Sequence, residues 1–261
     1  MAVRLVVAFL FLIAAIVVLG GDVAEDGVCT KDEPGCETVE TDSSAGQSVG
    51  YREHLGVTVK AHFAMACFWG VEATFGCQPG VVRVRAGYMG GEKEGPTYKD
   101  LGDHTETVEV EYDPYKTKFS SLLEVFWKYH DYTAAYKTQY MSAIFYHDDE
   151  QKDLAEKGKK EREENGEKVE TKILPAKIFY KAEDYHQKYF LRQHKKLVSE
   201  LLLSDTDMMD SSRTSRLLCY LAGPGEVEDF NKEASSLGLT DDQADYVREQ
   251  MKSKIYEGCA P

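Results

Sequence analysis

The sequence predicts an α+β fold, an α/β sandwich in which helices pack on a mixed β-sheet, followed by a partly helical C-terminal extension. Three observations predict it. Short runs of period-two alternation take turns with segments of helical spacing along the middle of the chain. At 261 residues and 43% apolar content, the chain can bury one sizeable core and is too ordinary in composition to be fibrous or wholly disordered. The long apolar run and the long polar run that precede this pattern both lie at the N-terminus, outside it.

Residues 1–21 carry one arginine, then fifteen unbroken apolar residues from Leu5 to Leu19, then small residues. That arrangement reads as a secretory signal peptide, with an uncleaved membrane anchor as the alternative. Residues 22–52 are rich in Asp, Glu, Gly and Ser and read as a disordered acidic linker. Cys29 and Cys36 fall within it and are expected to bridge each other in an oxidising compartment.

The main domain is expected over residues 53–203 and the extension over 204–261. "GVTVKAHFAMA" alternates as a strand, and residues 67–76 have helical spacing through Phe68, Val71 and Phe75. "GVVRVRAGYMGG" reads as a second strand ending in a glycine turn, and "TETVEVEYDP" as a third, ended by proline. "KFSSLLEVFWKYHD" spaces Phe119, Leu122, Leu123, Phe126 and Trp127 as a helix packed on a sheet. "YMSAIFYHDD" is a strand, "EQKDLAEKGKKEREE" a helix with a solvated charged face, "KVETKIL" a strand, and "AEDYHQKYFLRQHKKLVSELL" a helix. In the extension, one helix follows "GPGE" and another begins after Thr240, a suitable cap. The net charge of -14 argues against general affinity for nucleic acid or an anionic membrane, since phosphate binding needs clustered Lys and Arg.

Cys67 stands where the first strand meets the first helix. Amides exposed at a helix N-terminus favour a thiolate, the nucleophilic form of cysteine, so Cys67 is a candidate nucleophile. By the same residue types Phe68 and Trp69 read as core, Tyr88 as a strand-end residue, Tyr140 as a cap on an apolar face with its hydroxyl in water, and Glu106 as a solvent-facing strand position.

Around this cysteine, "ACFWGVE" resembles the "GCFWG.E" signature of the A-type peptide methionine sulfoxide reductases. "GYMGG", "PTY", "GDHTETVEVEYDP", "LLEVFWKYHD", "TQYMSAIFYHDDEQ" and "AEDYHQKY" resemble further family motifs in the same order, over roughly residues 57–200. The resemblance implies a ferredoxin-like core and reduction of the S epimer of methionine sulfoxide, free or in a peptide, with no metal or organic cofactor. It implies Cys67 as nucleophile, passing through a sulfenic acid, and Glu106 as the acid. It implies Tyr88 and Tyr140 as hydroxyls that bind the sulfoxide oxygen, and Phe68 and Trp69 as the apolar pocket for the substrate methyl. His104, Asp184, His186 and Gln187 lie in matched motifs and read as structural.

The chain departs from the family pattern in several places. Ala66 stands where a glycine is usual, Met141 replaces an arginine, and the loop between "HD" and "TQY" is short and lacks the family aspartate. Ala135 lies near its place and Asp131 is the nearby carboxylate. Losing one such contact costs about 10² in rate, so the reading is an active branch with Glu106 as the main acid. Recycling requires a second cysteine and a thioredoxin-like dithiol reductant. Cys259, three residues from the end, and Cys219 are the resolving candidates, with Cys77 a third. Rival readings are a non-catalytic module that binds methionine sulfoxide and a thiol redox sensor on the same fold.

Overall fold

The computed structural model describes residues 56–254. Alternating segments become β1 (Val59–Met65), β2 (Val81–Met89), β3 (Thr105–Tyr112) and β4 (Ser142–Tyr146), with helices α1 (Phe68–Phe75) and α2 (Phe119–Lys128) between them. With β5 (Lys172–Pro175) and β6 (Tyr180–Lys181) they form one sheet in the order β5-β4-β1-β3-β2-β6. The inner four strands, β4-β1-β3-β2, are antiparallel neighbours. That order, with α1 and α2 as the two crossovers, is the split βαβ of a ferredoxin-like core. Only β4 and β5 run parallel, and α3 (Asp149–Glu164) supplies the crossover that a parallel pair requires.

Alternation decides which face of the sheet is dry. Ala61, Phe63 and Met65 of β1, Val84 and Ala86 of β2, and Val108 and Val110 of β3 lie beneath α1 and α2 in one buried cluster. The Phe63 ring stacks between Phe75 at 5.0 Å and Phe119 at 5.8 Å, joining β1 to both helices. On the opposite face a smaller apolar group, Ala64, Met89, Ala143 and Phe145, adjoins a charged layer in which Arg85 bridges Glu109, Glu111 and Asp210.

The predicted helix over residues 182–202 is broken. A 3-10 turn at Asp184–His186 is followed by α4 (Tyr189–Gln193) and α5 (Lys195–Glu200), and Lys188 between them takes a left-handed φ of 53°. The break exists because the Lys188 side chain turns inward to meet Glu72 of α1, with Nζ donating to Oε1 at 2.7 Å and the backbone N–H donating to Oε2 at 2.7 Å. β6, only two residues long, was not legible as a strand.

The extension holds α6 (Asp205–Asp210), α7 (Ser212–Ala222), α8 (Val227–Glu233) and α9 (Asp241–Ser253). Thr240 caps α9 as expected, accepting from the Gln243 N–H while the Gln243 side chain accepts from the Thr240 N–H. These helices share a second apolar cluster with Ala73 of α1 and with Leu191 and Leu197. α7 lies directly on α1. A Cβ at Gly76 would fall 2.0 Å from the Ser215 carbonyl oxygen, and one at Gly223 would fall 2.0 Å from that of Ala73, so only glycine permits the approach at either end.

Between those two contacts a disulfide joins Cys77 to Cys219, 142 positions apart. This corrects the expectation that Cys219 resolves the nucleophile: it is already bonded and fully buried on α7. Cys77, the third candidate, is committed to the same bond. Cys29, Cys36 and Cys259 lie outside the described residues, as do the leader and the whole of the linker.

Candidate active site

β1 ends at Met65, and Ala66, at a left-handed φ of 69°, turns the chain so that Cys67 becomes the N-cap of α1. The usual glycine here is explained by that backbone angle. Cys67 is partly exposed and is the free cysteine among the described residues. Its thiol is pushed up from its ordinary value, first by burial, then by the nearby Glu106 charge; the amides of Trp69 and Gly70 pull the other way and do not prevail. Burial thus opposes the thiolate that the helix N-terminus favours.

Glu106 sits on β3 in register with Tyr88 of β2. It shares its side of the strand with Val108, Val110 and Tyr112, not with Glu109 and Glu111, so it faces the helices and is 1% exposed. Its Oε2 accepts from the Phe68 N–H at 3.1 Å, one residue beyond the nucleophile, and its Oε1 accepts from Gln139 Nε2 at 2.9 Å. Burial nonetheless holds its carboxyl above the usual range, against the Phe68 amide and Gln139. A carboxyl of this kind keeps its proton further towards neutrality, as proton donation requires.

The aromatics divide. Phe68 is buried and forms a floor, 5.8 Å from the Tyr88 ring and 5.0 Å from His186. Trp69 is partly exposed, stacked on Tyr189 at 3.7 Å with an interplanar angle of 5°, and its Nε1 donates to His186 Nδ1 at 3.1 Å. That bond leaves the His186 proton on Nε2, an atom with no hydrogen-bond partner among the described residues. Tyr140, on the 3-10 turn Thr138–Tyr140, is partly exposed; burial and a hydrogen bond with Tyr98 raise its hydroxyl. The Tyr88 hydroxyl donates to Glu183 Oε2 at 2.7 Å, so binding an incoming oxygen there means exchanging one acceptor for another.

The structure thus brings Cys67, Phe68, Trp69, Tyr88, Glu106 and Tyr140 to one end of α1. Sequence reasoning missed Gln139, Glu183, Tyr98 and Tyr189 as parts of the site. All four sit inside the quoted "TQYMSAIFYHDDEQ", "AEDYHQKY" and "PTY", and nothing in those strings separates a supporting residue from a reacting one. Asp131 does not replace the missing aspartate: it is exposed and accepts from the N–H and hydroxyl of Thr133. His104 and Gln187 are structural. The His104 ring links the Gly91 N–H to the Lys93 carbonyl, and Gln187 pairs with both backbone groups of Ala86.

Residues 59–215 match the family model described as peptide methionine sulfoxide reductase. The chain belongs to that family. A peptide methionine sulfoxide reductase of Drosophila melanogaster is 46% identical over 190 residues, covering 71% of this chain and 77% of the relative. MsrA of Methanothermobacter thermautotrophicus is 47% identical over 143 residues, covering 50% of this chain and 85% of the relative. Among solved structures, reduced Mxr1 of Saccharomyces cerevisiae aligns with a TM-score of 0.50 at 29% identity, over 55% of this chain and 90% of that one. The chain is accordingly an A-type methionine sulfoxide reductase, an oxidoreductase that returns the S epimer of methionine sulfoxide to methionine.

Proposed function

We propose that Cys67 is the nucleophile of this reduction and Glu106 its proton donor. The observation that carries this is the Glu106 carboxylate, buried and bonded to the amide adjoining Cys67. The Cys67 thiol passes its proton to the Glu106 carboxylate as its sulfur attacks the sulfoxide sulfur, forming a transient S–S bond. Glu106 protonates the oxygen as charge grows there, with the Tyr140 hydroxyl as a second donor. The hydroxyl so formed then moves to Cys67: the substrate S–O bond and the transient S–S bond break, and an S–O bond to Cys67 forms. Cys67 loses two electrons to give a sulfenic acid, and the substrate sulfur gains them as methionine leaves. Phe68 and Trp69 receive the substrate methyl, whose apolar contact selects the side of the sulfur presented to the nucleophile.

A second thiol, assigned to Cys259, then condenses with the sulfenic acid and releases water, and a thioredoxin-like dithiol protein reduces the disulfide. The substrates are oxidised-methionine peptides and free methionine sulfoxide. The workplace is the secretory pathway or the exterior; the apolar run at the N-terminus and the Cys77–Cys219 bond, a feature of oxidising compartments, support that reading.

The test is a methionine sulfoxide peptide of defined epimer with purified chain and dithiothreitol. Loss of one oxygen from the S epimer alone is expected, and Cys67→Ser is expected to abolish even a first turnover. Cys259→Ser should keep the first turnover and lose recycling by thioredoxin. Normal recycling in that variant rules out its assigned part.

A further inference from the structure

The Cys77–Cys219 bond stands apart from the reaction just described, and its two sulfurs have unequal surroundings. Cys219 is fully buried on α7, next to Leu218 and Tyr220 of the extension's apolar cluster. Cys77 is partly exposed, just past the C-terminal end of α1. It lines a groove of about 500 Å³ whose walls include Lys128, Tyr129, Arg216, Asp229 and Lys232. Thiol–disulfide exchange needs in-line approach to one sulfur, so access selects Cys77 as the point of attack.

Gly225 packs closely against the bond, where a Cβ would fall 3.0 Å from Cys77 Sγ and 2.6 Å from the Tyr220 ring, so an incoming sulfur must reach Cys77 from the groove's open side. The walls carry Lys128, Arg216 and Lys232 against Glu226, Asp229 and Glu233, with Lys232 paired to Asp229 and Arg216 to Glu233, so access rather than charge singles out Cys77.

We propose that Cys77–Cys219 is a second thiol-exchange site, attacked at Cys77 by a thioredoxin-class dithiol protein, and that its reduction unlatches α7 from α1. The partner's thiolate bonds to Cys77 Sγ as the Cys77–Cys219 bond breaks, and Cys219 leaves as a thiolate that takes a proton from water. The partner's second thiol then attacks the mixed disulfide and releases Cys77 as a thiolate that is protonated in turn. Two electrons pass from the partner, which ends as a disulfide, to the two cysteines. What remains between α7 and α1 is the close approach at Gly76 and Gly223 and the surrounding apolar contacts, so the extension opens more readily once the bond is gone.

The experiment uses the full chain carrying Cys67→Ser, which removes exchange at the reaction centre and so separates this site from the one proposed above. A thioredoxin whose second cysteine is replaced by serine serves as the trap, and the adduct is mapped by peptide mass. A mixed disulfide on Cys77 is expected, and it should vanish in Cys67→Ser/Cys77→Ser/Cys219→Ser. An adduct on Cys219, or none on either residue, overturns the proposal. In parallel, the chain reduced by intact thioredoxin and alkylated should be cut by protease within residues 204–254 at least tenfold faster than the oxidised chain. An unchanged rate overturns the unlatching.

Discussion

With Cys67 and Glu106 both pushed upward by burial, the two groups exchange one proton across the N-terminus of α1. Thiol with carboxylate and thiolate with carboxylic acid carry the same number of protons, so the reactive form lies within the singly protonated pair. The first-turnover rate should therefore rise with pH through an acid limb set above the ordinary glutamate range. It should fall through an alkaline limb set above the ordinary thiol range; an acid limb at an unshifted glutamate value would sink the pairing. Glu106→Gln should slow that burst by about 10² or more. Because the Glu106 charge raises the Cys67 thiol, the same variant should alkylate with iodoacetamide at lower pH than the wild type. A carboxyl raised in the folded state contributes stability below its unfolded pKa and loses it as pH rises through the folded one. Ionised Glu106 thus weakens the fold at pH 7, and Glu106→Gln should melt no lower than wild type there. The inward direction of Glu106 was legible in "TETVEVEY", had its parity with Val108 and Val110 been weighed above its charge. The dominance of burial over the helix terminus was not legible, because it depends on residues distant in sequence.

At the scale of the element, α1 is held by what surrounds it more than by its own eight residues, too few to persist alone. Glu72 and Lys188 are both fully buried, and Lys188 Nζ also donates to the Val84 carbonyl, so the pair ties α1 to β2 and to the turn before α4. Burial raises the Glu72 carboxyl and lowers the Lys188 amine, each opposed by the other's charge. Lys188→Met alone strands a buried carboxylate and should cost about 3–5 kcal/mol in a urea melt, whereas Glu72→Leu/Lys188→Met should recover most of that loss. Just before α1, at its junction with β1, Ala66 holds its left-handed angle at a cost of about 1 kcal/mol. Ala66→Gly should return that amount and raise the melting temperature by about 2–4 °C. β1 to β4, α1 and α2 were readable because their regular apolar spacing feeds the dry layer between sheet and helices. The segment after residue 182 was not, since its apolar spacing is helical throughout and only the inward lysine interrupts it.

For the whole molecule, the extension is part of the support beneath the reaction centre, since α7 lies against the helix that carries Cys67. Of its helices α8 and α9 were legible, the latter from its Thr240 cap, whereas α6 and α7 were not singled out. Their place was not legible, because it depends on two glycines whose meaning appears only when another backbone touches them. Replacing both cysteines, in Cys77→Ser/Cys219→Ser, should lower stability by about 2–5 kcal/mol. Activity at 25 °C should persist, because the Glu72–Lys188 pair still fixes α1; a loss of first-turnover rate in the folded variant would show that the bond shapes the site directly.

The chain has two tryptophans, and their settings make it its own optical instrument. Trp127 is buried beneath the Arg162 guanidinium, on the side of α2, whereas Trp69 lies flat on Tyr189, partly exposed and next to Cys67. Silencing the first by Trp127→Phe leaves one emitter, and ligand occupancy is then read as a change in its fluorescence without any attached dye.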